Sequence, residues 1–163
     1  MSFKLPNYLM IFSLLLLYSC NRNETPKETD SIESTSKVLP DTSLLIASAN
    51  LYYQSENYTQ AAKEYEELIA LDSTNGKFYF RQAYSYARLH NYEKAIPAYL
   101  KAADLAFEPY DCYYSVGIIY YTILFDDKKS RIYFEKCLEI DPNSQEAKDF
   151  LNKLSDKQRP MNL

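Results

Sequence analysis

Three tyrosines, Tyr52, Tyr86 and Tyr120, stand 34 residues apart, and no other feature of the chain constrains its fold so tightly. Ala49, Ala83 and Gly117 keep the same beat with small residues. The pairs Tyr58 and Tyr92, Ala61 and Ala95, and Tyr65 and Tyr99 repeat it again. A unit of this size cannot bury an apolar face alone, so each must stack on its neighbours.

The pattern inside the period predicts helices. Tyr58, Ala61, Ala62, Tyr65, Leu68 and Ile69 fall on one stripe of an amphipathic helix, and Tyr92, Ala95, Ile96, Tyr99, Ala102 and Ala103 repeat those offsets. Asn57 and Asn91 precede the two runs, where a side-chain oxygen can accept from exposed N–H groups. Only two glycines occur, Gly76 and Gly117. That scarcity argues against hairpin-rich β structure and against a Gly-rich phosphate cradle. The expected class is all-α.

These residues resemble the tetratricopeptide repeat, a helix–turn–helix unit that stacks into an α-solenoid. The resemblance implies repeats over 42–75, 76–109 and 110–144. The marked positions are Leu45, Ala49, Tyr52, Ala61 and Tyr65 in the first, and Tyr79, Ala83, Tyr86, Ala95 and Tyr99 in the second. Tyr113, Gly117, Tyr120, Ser130 and Phe134 take these places in the third. Ala49, Ala83 and Gly117 let the paired helix approach opposite Tyr65, Tyr99 and Phe134. The third repeat is one residue longer, with the insertion around Leu124–Lys128, and its second helix carries Asp127 and Arg131 against the pattern. Pro97 inside the second helix of repeat two predicts a bend or a late start. Ala147, Phe150, Leu151 and Leu154 predict a capping helix over 145–155, with Asn143 and Glu146 as its cap and a frayed tail over 156–163.

The first 19 residues hold one cation, Lys4, and an apolar stretch from Tyr8 to Tyr18. Eleven residues are too few for a bilayer span, which needs about 20, and match the apolar region of a secretory signal. Leu17-Tyr18-Ser19-Cys20 resembles the lipobox of bacterial lipoprotein signals, although Tyr18 is bulkier than the usual residue there. The resemblance implies cleavage after residue 19, a lipid on Cys20 and a membrane-anchored protein of the bacterial cell envelope. Residues 20–41 then form a polar linker with too little apolar surface to fold.

With 18 basic and 22 acidic residues the chain carries a net charge of −4, which opposes nucleic-acid binding. The single histidine, His90, falls in a predicted turn with no second His or acidic cluster to complete a metal site. No constellation for catalysis or for a cofactor is present, and the chain reads as a binding protein, not an enzyme. The family's packing brings Cys112 near Cys137, which leaves two readings: a disulfide in an exported chain, or two small buried apolar residues. The second is the one expected.

In the resembled family the first helices of the repeats line a groove. The corresponding positions here are Ser43, Ile46, Asn50, Tyr53 and Gln54, then Lys77, Phe80, Tyr84, Ala87 and Arg88, then Asp111, Tyr114, Ile118, Tyr121 and Thr122. Some members grip a partner's C-terminal carboxylate with a Lys/Asn/Arg clamp. Only Asn50 matches it, and Ile46, Arg81, Asp111 and Ser115 occupy its other positions. The expected function is that of a membrane-anchored scaffold holding a protein or peptide segment in a tyrosine-lined groove. The alternative is a glycan-binding envelope lipoprotein whose groove tyrosines stack on sugar rings.

Overall fold

The computed structural model describes residues 42–156. They form seven helices: α1 Thr42–Gln54, α2 Tyr58–Leu71, α3 Gly76–Arg88, α4 Tyr92–Asp104, α5 Pro109–Thr122, α6 Asp127–Ile140 and α7 Gln145–Ser155. Packing runs from each helix to the next in the chain, as a stacked array of helix pairs requires. The expectations for residues 1–41, Cys20 among them, and for 157–163 lie outside the described residues.

Each turn inside a repeat solves one backbone problem in the same way. Asn57, Asn91 and Asp126 cap the second helices by accepting from the N–H groups of Gln60, Lys94 and Lys129. Their own N–H groups donate to the carbonyls of Tyr52, Tyr86 and Tyr120, each at 2.9 Å. The extra residue of repeat three is absorbed between Ile123 and Asp126, so that bond survives the insertion. With glycine scarce, residues with side chains take the left-handed positions. Glu56 has φ 60°, His90 58° and Ala106 57°. At Glu56, His90 and Ala106 the paired bonds of a Schellman motif close the helix without the usual glycine.

The array has two cores. Ala49, Ala61, Tyr65, Leu68 and Phe78 make one, and Ala83, Ala95, Tyr99, Ala102, Cys112, Val116 and Ile119 belong to the other. Gly117 faces Phe134 so closely that an added Cβ would lie 3.0 Å from the ring. Ser130 takes the alanine position of the other repeats, and its buried hydroxyl donates to the Gly117 carbonyl at 3.1 Å.

One local expectation is narrowed and another corrected. Helix α4 starts at Tyr92, so of the bend or late start expected at Pro97 the late start does not hold. Glu93 and Pro97 are both exposed, so water can satisfy the carbonyl that the proline deprives of a donor. The cap of α7 is Ser144, which accepts from the Ala147 N–H at 3.2 Å, and not Asn143. Asn143 is held in the preceding turn, where its N–H donates to Asp141 Oδ1 at 2.9 Å.

The ends of the described array differ. Helix α7 buries Ala147 and leaves Asp149, Asn152 and Lys153 exposed. On α1, Leu44 and Leu51 hold the positions of the buried Phe78 and Ser85 one repeat later, yet they are 69% and 63% exposed.

Candidate functional site

Helices α1 and α3 meet through side chains that sequence reasoning assigned to the groove, and the meeting is aromatic. The Tyr53 ring lies 5.4 Å from Tyr84 and 6.3 Å from both Tyr58 and Tyr65. Tyr58 and Tyr84 close the cluster edge to face at 5.9 Å. Burial is the leading cause that holds the Tyr53, Tyr58 and Tyr65 hydroxyls above the ordinary tyrosine pKa, so they stay neutral.

Two arginines cover this cluster. The Arg81 guanidinium sits 5.1 Å over Tyr53, donates to Tyr65 Oη at 3.2 Å and also donates to Asn50 Oδ1. The Tyr65 hydroxyl donates to the same Asn50 oxygen at 2.9 Å. Asn50 is therefore a strut between repeats one and two. Arg88 lies 4.8 Å over Tyr58 and 5.8 Å over Tyr84 and donates to Tyr84 Oη at 3.0 Å. Its other terminal nitrogen is 3.8 Å from the Glu56 carboxylate, with both side chains exposed.

The remaining positions divide by exposure. Ser43, Gln54, Lys77, Arg88, Asp111 and Thr122 are exposed, while Ile46, Ala87 and Ile118 are half-buried. Phe80 packs between Tyr99 at 5.7 Å and Phe107 at 5.6 Å. Tyr114 stacks on Tyr110 at 6.1 Å and meets Phe134 and Phe150 edge-on. Tyr121 meets Phe150 at 5.3 Å. The capping helix thus occupies the aromatic surface of repeat three, and the structure brings the open aromatic–cationic surface to repeats one and two.

Sequence reasoning missed Arg81, Tyr58 and Glu56 as parts of this surface. A signal was available: Lys77, Arg81, Tyr84 and Arg88 are spaced four, three and four apart and share one stripe of α3. Tyr58 carried the stripe that packs α2, and its ring reaches the surface only because the turn at Glu56 folds it beside Tyr84.

Elsewhere the chemistry is quiet. Cys112 and Cys137 are free and buried, so the disulfide reading does not hold. Burial first, and nearby acids second, push both thiols up to about 12, far from nucleophilic use. The exposed His90 ring exchanges a hydrogen bond with Tyr92 Oη at 2.8 Å. Among the described residues no group of His, Cys, Asp and Glu is placed to hold a metal ion, and no helix is long and apolar enough to cross a membrane.

The family model described as Tetratricopeptide repeat matches residues 42–75, 76–109 and 110–144, which together make up more than half of the chain. The chain belongs to the tetratricopeptide repeat family. Its seven helices among the described residues form the all-α solenoid of that family. Among curated proteins it is similar to Anaphase-promoting complex subunit 3 of Schizosaccharomyces pombe, 27% identical over 96 residues that make 59% of this chain and 14% of that protein. Among solved structures it is similar to the first tetratricopeptide domain of Spaghetti (RPAP3) bound to the HSP90 peptide SRMEEVD. That likeness has TM-score 0.61 and 24% identity, covering 71% of this chain and 90% of the other. The MamA protein gives 0.64 and 20%, covering 71% and 63%. The Yersinia enterocolitica type III secretion chaperone SycD, in complex with a peptide of the translocator YopD, gives 0.58 and 20%, covering 74% and 92%. At these identities the likenesses establish the tetratricopeptide fold alone.

Proposed function

We propose that the chain is a membrane-anchored scaffold of the bacterial cell envelope that holds a segment of another protein against the surface shared by α1 and α3. The observation that carries the reading is the cluster of Tyr53, Tyr58 and Tyr84 under Arg81 and Arg88, an array of half-buried rings and charged edges that reaches the surface. Tyrosine and arginine are the residue types that contribute most at protein interfaces. Solved tetratricopeptide structures that carry peptides, those of Spaghetti and SycD, share the helical framework that presents this surface.

A peptide fits better than a sugar. Glycan stacking needs an open ring face, whereas Arg81 covers a face of Tyr53 and Arg88 covers faces of Tyr58 and Tyr84. The anchor rests on the sequence alone: the short apolar stretch from Tyr8 to Tyr18, then Leu17, Ser19 and Cys20.

Photo-crosslinking from the exposed positions Gln54 and Lys77, followed by mass spectrometry, tests the scaffold. One protein recovered in stoichiometric amount is the expected result. Recovery of none, together with retention of the chain on a polysaccharide column, would replace it with the glycan reading. For the anchor, a fatty-acid label should mark the natural chain and not Cys20→Ala, and equal labelling of both would refute the lipid.

A further inference from the structure

The chain is acidic as a whole, yet its candidate groove is not. Helix α1 carries no charged residue, and α3 carries Lys77, Arg81 and Arg88 with no acid. On the third groove helix, α5, the only charged side chain is Asp111. The surface shared by α1 and α3 is therefore a cationic stripe on a molecule of net charge −4.

The groups on that stripe are not equally committed. Arg81 is half-buried and tied into the strut with Asn50 and Tyr65. Arg88 is exposed, but its guanidinium is already oriented by the rings of Tyr58 and Tyr84 and by the bond to Tyr84 Oη. Orientation before binding is what makes a charged edge selective, because less side-chain freedom is lost on contact. The group facing that edge is a carboxylate, Glu56, at 3.8 Å. Glu56 stands on the turn with φ 60°, and its side chain is 70% exposed. A pair so exposed contributes little and exchanges readily.

We propose that Arg88 is the seat for a carboxylate of an acidic peptide, and that Glu56 occupies the seat until such a peptide displaces it. This rests on the groove reading given above and specifies its partner as a segment rich in Glu or Asp with apolar or aromatic neighbours. Arg88 provides the charged edge, and Tyr53 and Tyr84 provide the apolar bed beside it. The seat lies two helical turns along α3 from Arg81, so it is separate from the clamp positions that this chain does not fill. Glu56 makes the seat self-limiting: a neutral segment gains nothing there, and a weakly acidic one must compete with a tethered carboxylate.

The test uses the immobilised full chain and a pooled library of ten-residue peptides drawn from Glu, Lys, Gln, Leu, Tyr and Phe. The bound fraction is read by mass spectrometry. Glu is expected to be enriched over Lys on the natural chain. Arg88→Gln should lower that enrichment roughly two- to fivefold, the scale of an exposed ion pair. Glu56→Gln should raise it, because the internal competitor is gone, whereas a merely structural role for the Glu56–Arg88 pair would make both variants bind worse. Should Arg88→Gln melt at lower temperature than the natural chain, Glu56→Gln still decides the matter. Retention of peptides with equal Glu and Lys, or an unchanged preference in both variants, would overturn the acidic seat and leave the groove standing. Retention of no peptide by any variant would overturn both.

Discussion

Phe150 of the capping helix stacks on Phe134 with ring centroids 4.7 Å apart and planes 7° from parallel. The pair repeats a relationship found twice earlier in the chain. Tyr65 meets Arg81 and Tyr99 meets Ser115, each partner 16 residues on, as Phe150 is from Phe134. Where the second helix offers a hydroxyl, the next first helix supplies a polar partner, and where it offers none, the partner is another ring. The exchange is a physical requirement, since a hydroxyl buried against a ring is left without a hydrogen bond.

Phe150→Ala should therefore remove about 2 kcal/mol, below the scale of a fully buried aromatic because Phe150 is half-buried, measured by urea unfolding. Phe134→Tyr should cost about 1–3 kcal/mol by burying an unpaired hydroxyl against Phe150. Adding Phe150→Ser to Phe134→Tyr recreates the Tyr99–Ser115 pair, so the double variant should be more stable than the two single losses predict. Strict additivity in that cycle would refute the exchange.

Gly76 opens α3 under the loop that follows α4. A Cβ there would lie 2.6 Å from Phe107 Cβ and 3.1 Å from Leu105 Cβ, and neither atom is the far end of a flexible side chain. Gly76→Ala is expected to destabilise by about 1–3 kcal/mol despite alanine's better helix propensity. Thermal unfolding would show it, and an unchanged midpoint would mean that the loop gives way.

Ala106 is exposed and holds φ 57° in the turn after α4, where a Cβ is penalised. Ala106→Gly should stabilise the fold by about 0.5–1 kcal/mol, the left-handed penalty relieved less the entropy that glycine adds to the unfolded chain. A loss of stability on the same unfolding curve would contradict the geometry.

The buried thiols give a pH dependence with a definite sign. Burial pushes Cys112 and Cys137 from an ordinary value of 9.0 up to about 12, so the folded chain retains protons that the unfolded chain releases. Their contribution is fully present below pH 9 and is lost as pH rises from 9 towards 12. Unfolding midpoints should fall across that window, and Cys112→Ala should flatten the fall. In the native state at neutral pH both thiols should resist iodoacetamide, and fast labelling would show that the core opens.

Arg81 and Leu51 show where reading the sequence stops. Arg81 fits no clamp position as a sequence letter, yet in space it is the member that ties Asn50, Tyr53 and Tyr65 together. Leu51 shares the face of α1 that carries Leu44, and the absence of a preceding helix pair among the described residues leaves it at the surface. Both outcomes depend on which repeat lies next to which face.

The sequence by itself determined the helix pairs, the caps at Asn57 and Asn91 and the small residues under Tyr65, Tyr99 and Phe134, through its period and the apolar stripe inside each period, while the repeat bounds followed from the resemblance to the tetratricopeptide unit. These are local or fixed-offset properties, and a repeat copies them in register. The tertiary structure alone decided that Phe150 covers the tyrosines of repeat three, that Cys112 and Cys137 remain unbridged, and that Tyr53, Tyr58 and Tyr84 gather beneath Arg81 and Arg88. Each of these depends on residues from different helices, where crossing geometry and competition for burial select the partner, and none is written in the spacing of a single helix.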